Sequence, residues 1–475
     1  MKVFAIDTAE RTASKELKTA YEYQPAHRGK QLPIGIGALI CIILLPSMFV
    51  GRTIASGQDT CATVSAIRVH AGFLRTGLRY ITAYIPHATT VSICATVKLG
   101  AHNERGVMSP GVRYFLAQAL LQGTRLYDAD EFAIRLASIG ATVQASVDMD
   151  WIDFRITSLP EHADTALQYL ADILTRPVLD DEVVKRARIM TLRAQATAKR
   201  TPMTWAHQML RELLYRRSPY ARPPWGYPRT VSHIRKQHLY EFFDAYFRSS
   251  NVIISAAGAI NPSEFAHQIA QAFRALPEDG APRSKPPRYV RLLEPQYRIR
   301  QFYGEQAHIL VAFPAVEITH PDANAVSVLA GVIGGGMGAR LYQWLRERNS
   351  WIYTAEAAYS PHAACGELIL HVATDRERIE ACRIALEEMV RDLRKYPIQP
   401  QELQRAQRYI ITSEELARQN PEYLAATLAH YEAWGIGYRA YLQMYRAVLS
   451  VTLEDVQRVA QRYLRSAVMV VLLPL

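Results

Sequence analysis

The residues able to do chemistry are sparse in this chain and seldom grouped. Fourteen histidines are spread so that no two stand three or four positions apart; no helix face therefore offers two imidazoles at metal-ligand spacing. The nearest pair, His233 and His238 in HIRKQH, is five apart without neighbouring cysteines and reads as a polar helix edge. The five cysteines, Cys41, Cys61, Cys94, Cys365 and Cys382, contain no C-x-x-C. That excludes zinc-ribbon and thioredoxin-like sites and is too sparse for a disulfide scaffold, although one disulfide stays open beside buried free thiols. No Ser-His-Asp or Cys-His motif context stands out. GGGMGA, Gly334 to Ala339, has the spelling G-x-G-x-x-[GA] but follows a helical pattern and has Tyr359 near the position where a dinucleotide site needs an acid. It reads as a flexible turn ahead of ARLYQWLRER, in a position to touch extended peptide. LRERNSWIY sets Arg346 and Tyr353 seven apart, two hydrogen-bond donors that by spacing alone are a helix-surface arginine and a strand-start tyrosine. GVRYFLAQALLQGT, residues 111–124, is an apolar helix with a Gly-Thr stop and holds no metal ligand.

These residues need elements to hold them. VSICATVKLG alternates Val91, Ile93, Ala95, Val97 and Leu99 against Ser92, Cys94, Thr96 and Lys98, which predicts a half-buried strand. Helices are expected at about 110–121 and 130–139, a strand in DMDWIDFRITSL, and helices in HADTALQYLADIL and DDEVVKRARIMTLRAQATAKR. Beyond residue 300, AHILVAFPAV predicts a strand and PDANAVSVLAGVI a helix, the same order as residues 91–121. Tyr246 to Ser249 matches Tyr463 to Ser466, each joining an amphipathic helix to an apolar strand. A repeat of domain size follows. Residues 274–300, rich in proline and charge, read as the linker between halves at 60–273 and 301–475. The fold class expected is α+β: two duplicated domains, each a mixed or antiparallel sheet packed with helices.

At 475 residues, 49% hydrophobic and 21% charged, the chain is globular and exceeds one core. Its net charge of +11 is spread along the sequence, often beside acids as in DRERIEACR. That pattern reads as solvated surface and gives nucleic acid no clustered footprint. Residues 31–51, QLPIGIGALICIILLPSMFVG, carry no charge. As a helix rising ~1.5 Å per residue they would reach across a bilayer core of about 30 Å. His27, Arg28 and Lys30 precede them, so residues 1–30 are expected as a cytoplasmic polar tail, 31–51 as an anchor or signal segment, and the remainder outside, in the periplasm.

GAHNERG, GVRYFLAQALLQGT, SPYARPPWG, NVIISAAGAINPSEFAHQIAQAF and GGGMGARLYQWLRERNSWIY, taken in that order, resemble the insulinase/pitrilysin family of zinc peptidases. The likeness is strongest to its processing-peptidase-like, two-subunit branch. In that family the first helix carries H-x-x-E-H, with a third ligand, a glutamate, about 75 residues on. At the matching positions this chain has Tyr114, Ala117 and Gln118, and then Ala194 followed by Gln195. The chemistry needs neutral imidazoles, a carboxylate and a base around an activated water, so the resemblance implies no intrinsic metal and no cofactor in this chain. The zinc would sit in a partner. It also implies that Arg346 and Tyr353 match an Arg/Tyr pair reaching a substrate carbonyl. The expected function is a catalytically silent subunit of a heterodimeric zinc peptidase that binds unfolded peptide. The alternative is a non-enzymatic structural or peptide-holding protein of the processing-peptidase or respiratory-core type.

Overall fold

The computed structural model describes residues 67–104, 110–278, 280–282 and 294–475. The expected polar tail and membrane segment, Cys41 and Cys61, and residues 283–293 of the expected linker lie outside the described residues. Among the described residues no helix is long and apolar enough to cross a membrane.

Among the described residues eleven strands form two sheets. The first holds β1 (Arg68–Phe73), β2 (Arg79–Tyr84), β3 (Val91–Val97), β4 (Thr142–Val147), β5 (Ile152–Ser158) and β6 (Val252–Gly258) in the order β1-β2-β6-β3-β5-β4. The second holds β7 (Gln296–Phe302), β8 (Ala307–Ala315), β9 (Ile352–Pro361), β10 (Gly366–Thr374) and β11 (Val468–Pro474) in the order β7-β11-β8-β10-β9. The second order repeats β2-β6-β3-β5-β4 strand for strand. In both, the pair at one side is parallel and the remaining pairs are antiparallel. The fold is thus mixed α/β with two domains of one topology.

Among the described residues twelve helices have nine or more residues. Those of the first half are α1 (Val112–Leu120), α2 (Ala129–Ser138), α3 (Ala163–Thr175), α4 (Asp181–Arg200), α5 (Pro202–Tyr215), α6 (Lys236–Tyr246) and α7 (Pro262–Ala272); the second half has α8 (Ala323–Gly334), α9 (Ile379–Lys395), α10 (Pro400–Ala417), α11 (Pro421–Ala433) and α12 (Leu453–Tyr463). α6 and α12 carry the repeated joint at an offset of 217 residues, and each feeds the parallel inner strand of its sheet. Local signals fix α4 well. Asp180 caps it by accepting from the Val183 N–H at 2.8 Å, Asp181 and Glu182 fill its first turn, and Lys199 and Arg200 its last.

One face of each sheet is covered by helices of its own half. The other face is covered by a helix of the opposite half. Ala206, Met209, Leu210 and Leu214 of α5 pack on Leu310, Ala312, Ile369, Val468, Val470 and Leu472 of the second sheet. Leu424, Ala425, Leu428 and Ala429 of α11 pack on Ile81, Ala83, Cys94, Ile253 and Ala257 of the first. Two expectations are corrected by the structure, the first of them through this exchange. β3 is buried along its whole length and not half-buried, because α11 seals the face that carries Ser92, Cys94 and Thr96. The linker of 274–300 is shorter than its composition implies: Phe273 and Leu276 are buried in the first core, and residues 296–300 already belong to β7, paired with β11. Residues 67–475 accordingly cluster as one compact unit.

Candidate functional site

α1 starts where two backbones touch. Gly111 has φ of 99° and Gly226 of 66°, and a Cβ on Gly226 would stand 2.1 Å from the Pro110 carbonyl oxygen, so glycine is required at this crossing. The start is braced from within. Glu104, fully buried, accepts from the N–H groups of Gly111 (3.1 Å) and Arg113 (3.3 Å), and the Arg113 guanidinium lies 3.4 Å from the same carboxylate. Burial raises the Glu104 pKa, and Arg113 with the two N–H groups opposes it. Arg113, itself buried, donates to the carbonyls of Leu99 (3.0 Å) and Asp148 (2.7 Å). The GAHNE strand end and the helix therefore form one rigid piece.

α4 packs along α1. Gln122, just past the end of α1, donates to the Met190 sulfur at 3.0 Å; near the start of α1, Gln195 donates to the Trp225 carbonyl at 2.9 Å. Between these ends lie the residues that the sequence singles out. Ala117 is fully buried, while Tyr114, Gln118 and Ala194 are half-buried. They supply a phenol, an amide and two methyl groups. Burial raises the Tyr114 pKa, so the phenol stays protonated. This donor set does not fit zinc, which takes imidazole, thiolate or carboxylate ligands. Among the described residues no group of three or more His, Cys, Asp or Glu side chains is placed to hold a metal ion.

The Arg/Tyr pair stands in the second half. Gln343–Glu347 is a π-helical turn, and β9 follows from Ile352. Arg346 Nη1 donates to the carbonyls of Ile352 (2.9 Å) and Tyr353 (3.0 Å). The half-exposed Tyr353 donates its hydroxyl to Asp375 Oδ1 at 2.6 Å, a bond that raises the phenol pKa. The structure therefore brings Arg346 to the backbone of Tyr353, while the hydroxyl of Tyr353 turns to Asp375, a residue the sequence did not single out.

These features can be set beside known proteins. Residues 79–226 match the family described as Insulinase (Peptidase family M16), and residues 233–410 match Peptidase M16 inactive domain. The chain belongs to the insulinase family, peptidase family M16. It is 21% identical over 396 residues to an uncharacterized zinc protease of Rickettsia bellii (strain RML369-C), covering 83% of this chain and 94% of that one. It is 22% identical over 294 residues to mitochondrial-processing peptidase subunit beta of Saccharomyces cerevisiae, covering 60% of this chain and 63% of the yeast protein. The crystal structure of a peptidase M16 inactive domain from Pseudomonas fluorescens superposes with a TM-score of 0.76 at 21% identity, over 86% of this chain and 98% of that one. The M16 fold thus extends over both sheets.

Sequence reasoning missed a polar seam between the halves. Asp150 accepts from Tyr220 Oη (2.7 Å), the Ala363 N–H (2.7 Å) and Trp434 Nε1 (3.2 Å). Asp153, buried on β5, pairs with Thr96 Oγ1 (2.6 Å) and with His430 Nε2 of α11 (2.7 Å), whose ring stacks on Trp151 at 4.1 Å. The available signal was the clustering of Asp150, Trp151 and Asp153 at a strand start, whose side-chain partners stand between 57 and 284 positions away.

Proposed function

We propose that this chain is the zinc-less subunit of a two-chain peptidase, silent alone, which binds and positions unfolded peptide for a homologous partner carrying H-x-x-E-H. One observation carries the reading. The α1–α4 pair and its Glu104–Arg113 brace are retained, while the ligand and base positions hold Tyr114, Ala117, Gln118 and Ala194. The names zinc protease and mitochondrial-processing peptidase subunit beta among the relatives support a proteolytic setting. β9 is an edge strand of the second sheet, and extended peptide gains main-chain hydrogen bonds on such an edge with little sequence selectivity. Arg346 and Tyr353 would then turn from their internal acceptors to the substrate carbonyl. A donor aimed at developing oxyanion charge is worth roughly 2.7–4 kcal/mol. Zinc belongs to the partner in this reading, and residues 31–51 tether the complex at the outer side of the cytoplasmic membrane.

A peptide-holding protein without any catalytic role is the second reading, favoured by the internal hydrogen bonds that already occupy Arg346 and Tyr353. The two separate on mixing the chain with a homologous chain that carries H-x-x-E-H. The first expects cleavage of an unfolded peptide to rise on mixing, and Arg346→Ala with Tyr353→Phe to lower kcat by roughly 100-fold or more. Cleavage unchanged by the chain or by the double substitution leaves only the second.

A further inference from the structure

Three histidines and a glutamate unused by that reading meet on the inner face of the second sheet, the face covered by α5. His308 on β8 and His371 on β10 are diagonal neighbours, since the register pairs His371 with Leu310 and His308 with Ala373. Their rings stack with centroids 5.4 Å apart, and His308 Nδ1 lies 3.1 Å from His371 Nε2. The other nitrogen of His371, Nδ1, lies 3.1 Å from Oε1 of Glu356, its register partner on β9. His207 on α5 faces the same space and feels the charges of Arg211, Glu367, His371 and Glu356.

We propose that His308 Nδ1 and His371 Nε2 together bind a late first-row divalent ion, Cu²⁺ in preference to Zn²⁺, with Glu356 as the carboxylate behind His371. Two imidazole nitrogens on one ion, each at about 2.0–2.1 Å, stand about 2.9–3.4 Å apart for angles between about 90° and 110°; the observed separation of 3.1 Å falls in that interval. Glu356 accepting from His371 Nδ1–H fixes the tautomer that leaves the Nε2 lone pair facing His308, and it makes that nitrogen a stronger donor, the carboxylate–histidine–metal arrangement. Without an ion, the proton between the rings resides on His308 Nδ1. Ion binding moves it to His308 Nε2 by tautomer exchange through solvent. Burial, with His371 beside it, pushes the His308 pKa down to about 4, so the His308 imidazole is neutral at pH 7. No third side chain among the described residues stands at ligand distance; water fills the remaining positions, and Cu²⁺ leads Zn²⁺ by the general affinity order of such ligands.

The site is independent of pairing with a zinc-bearing chain, so its test uses the full chain alone, stripped with chelator and titrated with CuCl₂ and with ZnCl₂. Calorimetry is expected to give one Cu²⁺ per chain, bound more tightly than Zn²⁺, with electron paramagnetic resonance showing two coordinated imidazoles. His371→Ala removes the bound Cu²⁺. Glu356→Gln, at an exposed position that does not endanger folding, weakens it by about 10- to 100-fold. An unchanged isotherm for Glu356→Gln, or Cu²⁺ of the same stoichiometry and spectrum in the folded double variant His308→Gln/His371→Gln, overturns the proposal.

Discussion

A single imidazole shows how far burial separates a side chain from its behaviour in water. His308 is held neutral in the fold, its pKa near 4, whereas in the unfolded chain it returns to an ordinary value of about 6.5. The unfolded state therefore takes up a proton first as the pH drops. The contribution of His308 is complete above about pH 6.5, is lost progressively towards pH 4, and does not change below that; because solvent reaches and screens part of the ring, its size is roughly 1–2 kcal/mol. Urea unfolding of the metal-free chain at pH 7.5 and pH 4.5 is expected to show a larger loss for the natural chain than for His308→Gln, by about that amount. Equal losses would show that His308 gains no stability from staying neutral. At this scale the sequence was legible only where chemistry is written in neighbouring letters. Tyr114, Ala117 and Gln118 lie within five letters on one helix, and it is the family resemblance that sets them at the positions of H-x-x-E-H. His308 and His371, 63 residues apart, and Asp153 and His430, 277 apart, meet only through strand register and helix exchange, which no local spacing encodes.

Elements were legible where one periodicity has one meaning. β3, β5, β8, α1, α3, α4 and α8 stand where alternation or helical repeat placed them, and the repeated Tyr-x-Arg-Ser joint does mark equivalent helix–strand steps. Alternation fails on β3 because a polar residue facing a buried partner looks the same as one facing water: Ser92 bonds Thr157, and Thr96 bonds Asp153. The destination of α5 and α11 was equally hidden, since a helix's apolar stripe states that it must be covered and not by what. Leu210 and Leu428 are fully buried in these exchanged contacts. Truncating either to alanine removes transfer energy and leaves a cavity, at an expected cost of about 2–5 kcal/mol. Chemical denaturation measures it, and values below about 1 kcal/mol at both positions would mean that the exchanged helices do not bear on stability.

For the molecule as a whole, the exchange decides what can fold alone. A half comprising residues 67–282 would expose the face of β2, β3 and β6 that α11 covers, and would present the apolar side of α5 without its sheet. A half comprising 294–475 would expose the matching face of β8, β10 and β11 and leave α11 bare. Charged contacts are divided in the same way: Arg79 pairs with Glu432 at 2.8 Å, Arg155 with Glu422 at 3.0 Å, Arg211 with Glu367 at 3.2 Å and Arg298 with Glu212 at 2.7 Å, each crossing from one half to the other. Asp150 ties Tyr220 of the first half to Ala363 and Trp434 of the second. With two apolar faces and these polar ties shared, opening one half removes the cover of the other, so both belong to a single cooperative unit. Residues 67–475 are therefore expected to unfold in one transition, with tryptophan fluorescence and far-ultraviolet circular dichroism giving coincident curves. The halves expressed separately should be insoluble or partly folded, and should recover the native spectrum when refolded together. Two separated transitions, or a half that folds with native cooperativity by itself, would show that the exchanged helices are an attachment between independent domains and not the means by which each sheet acquires its second face.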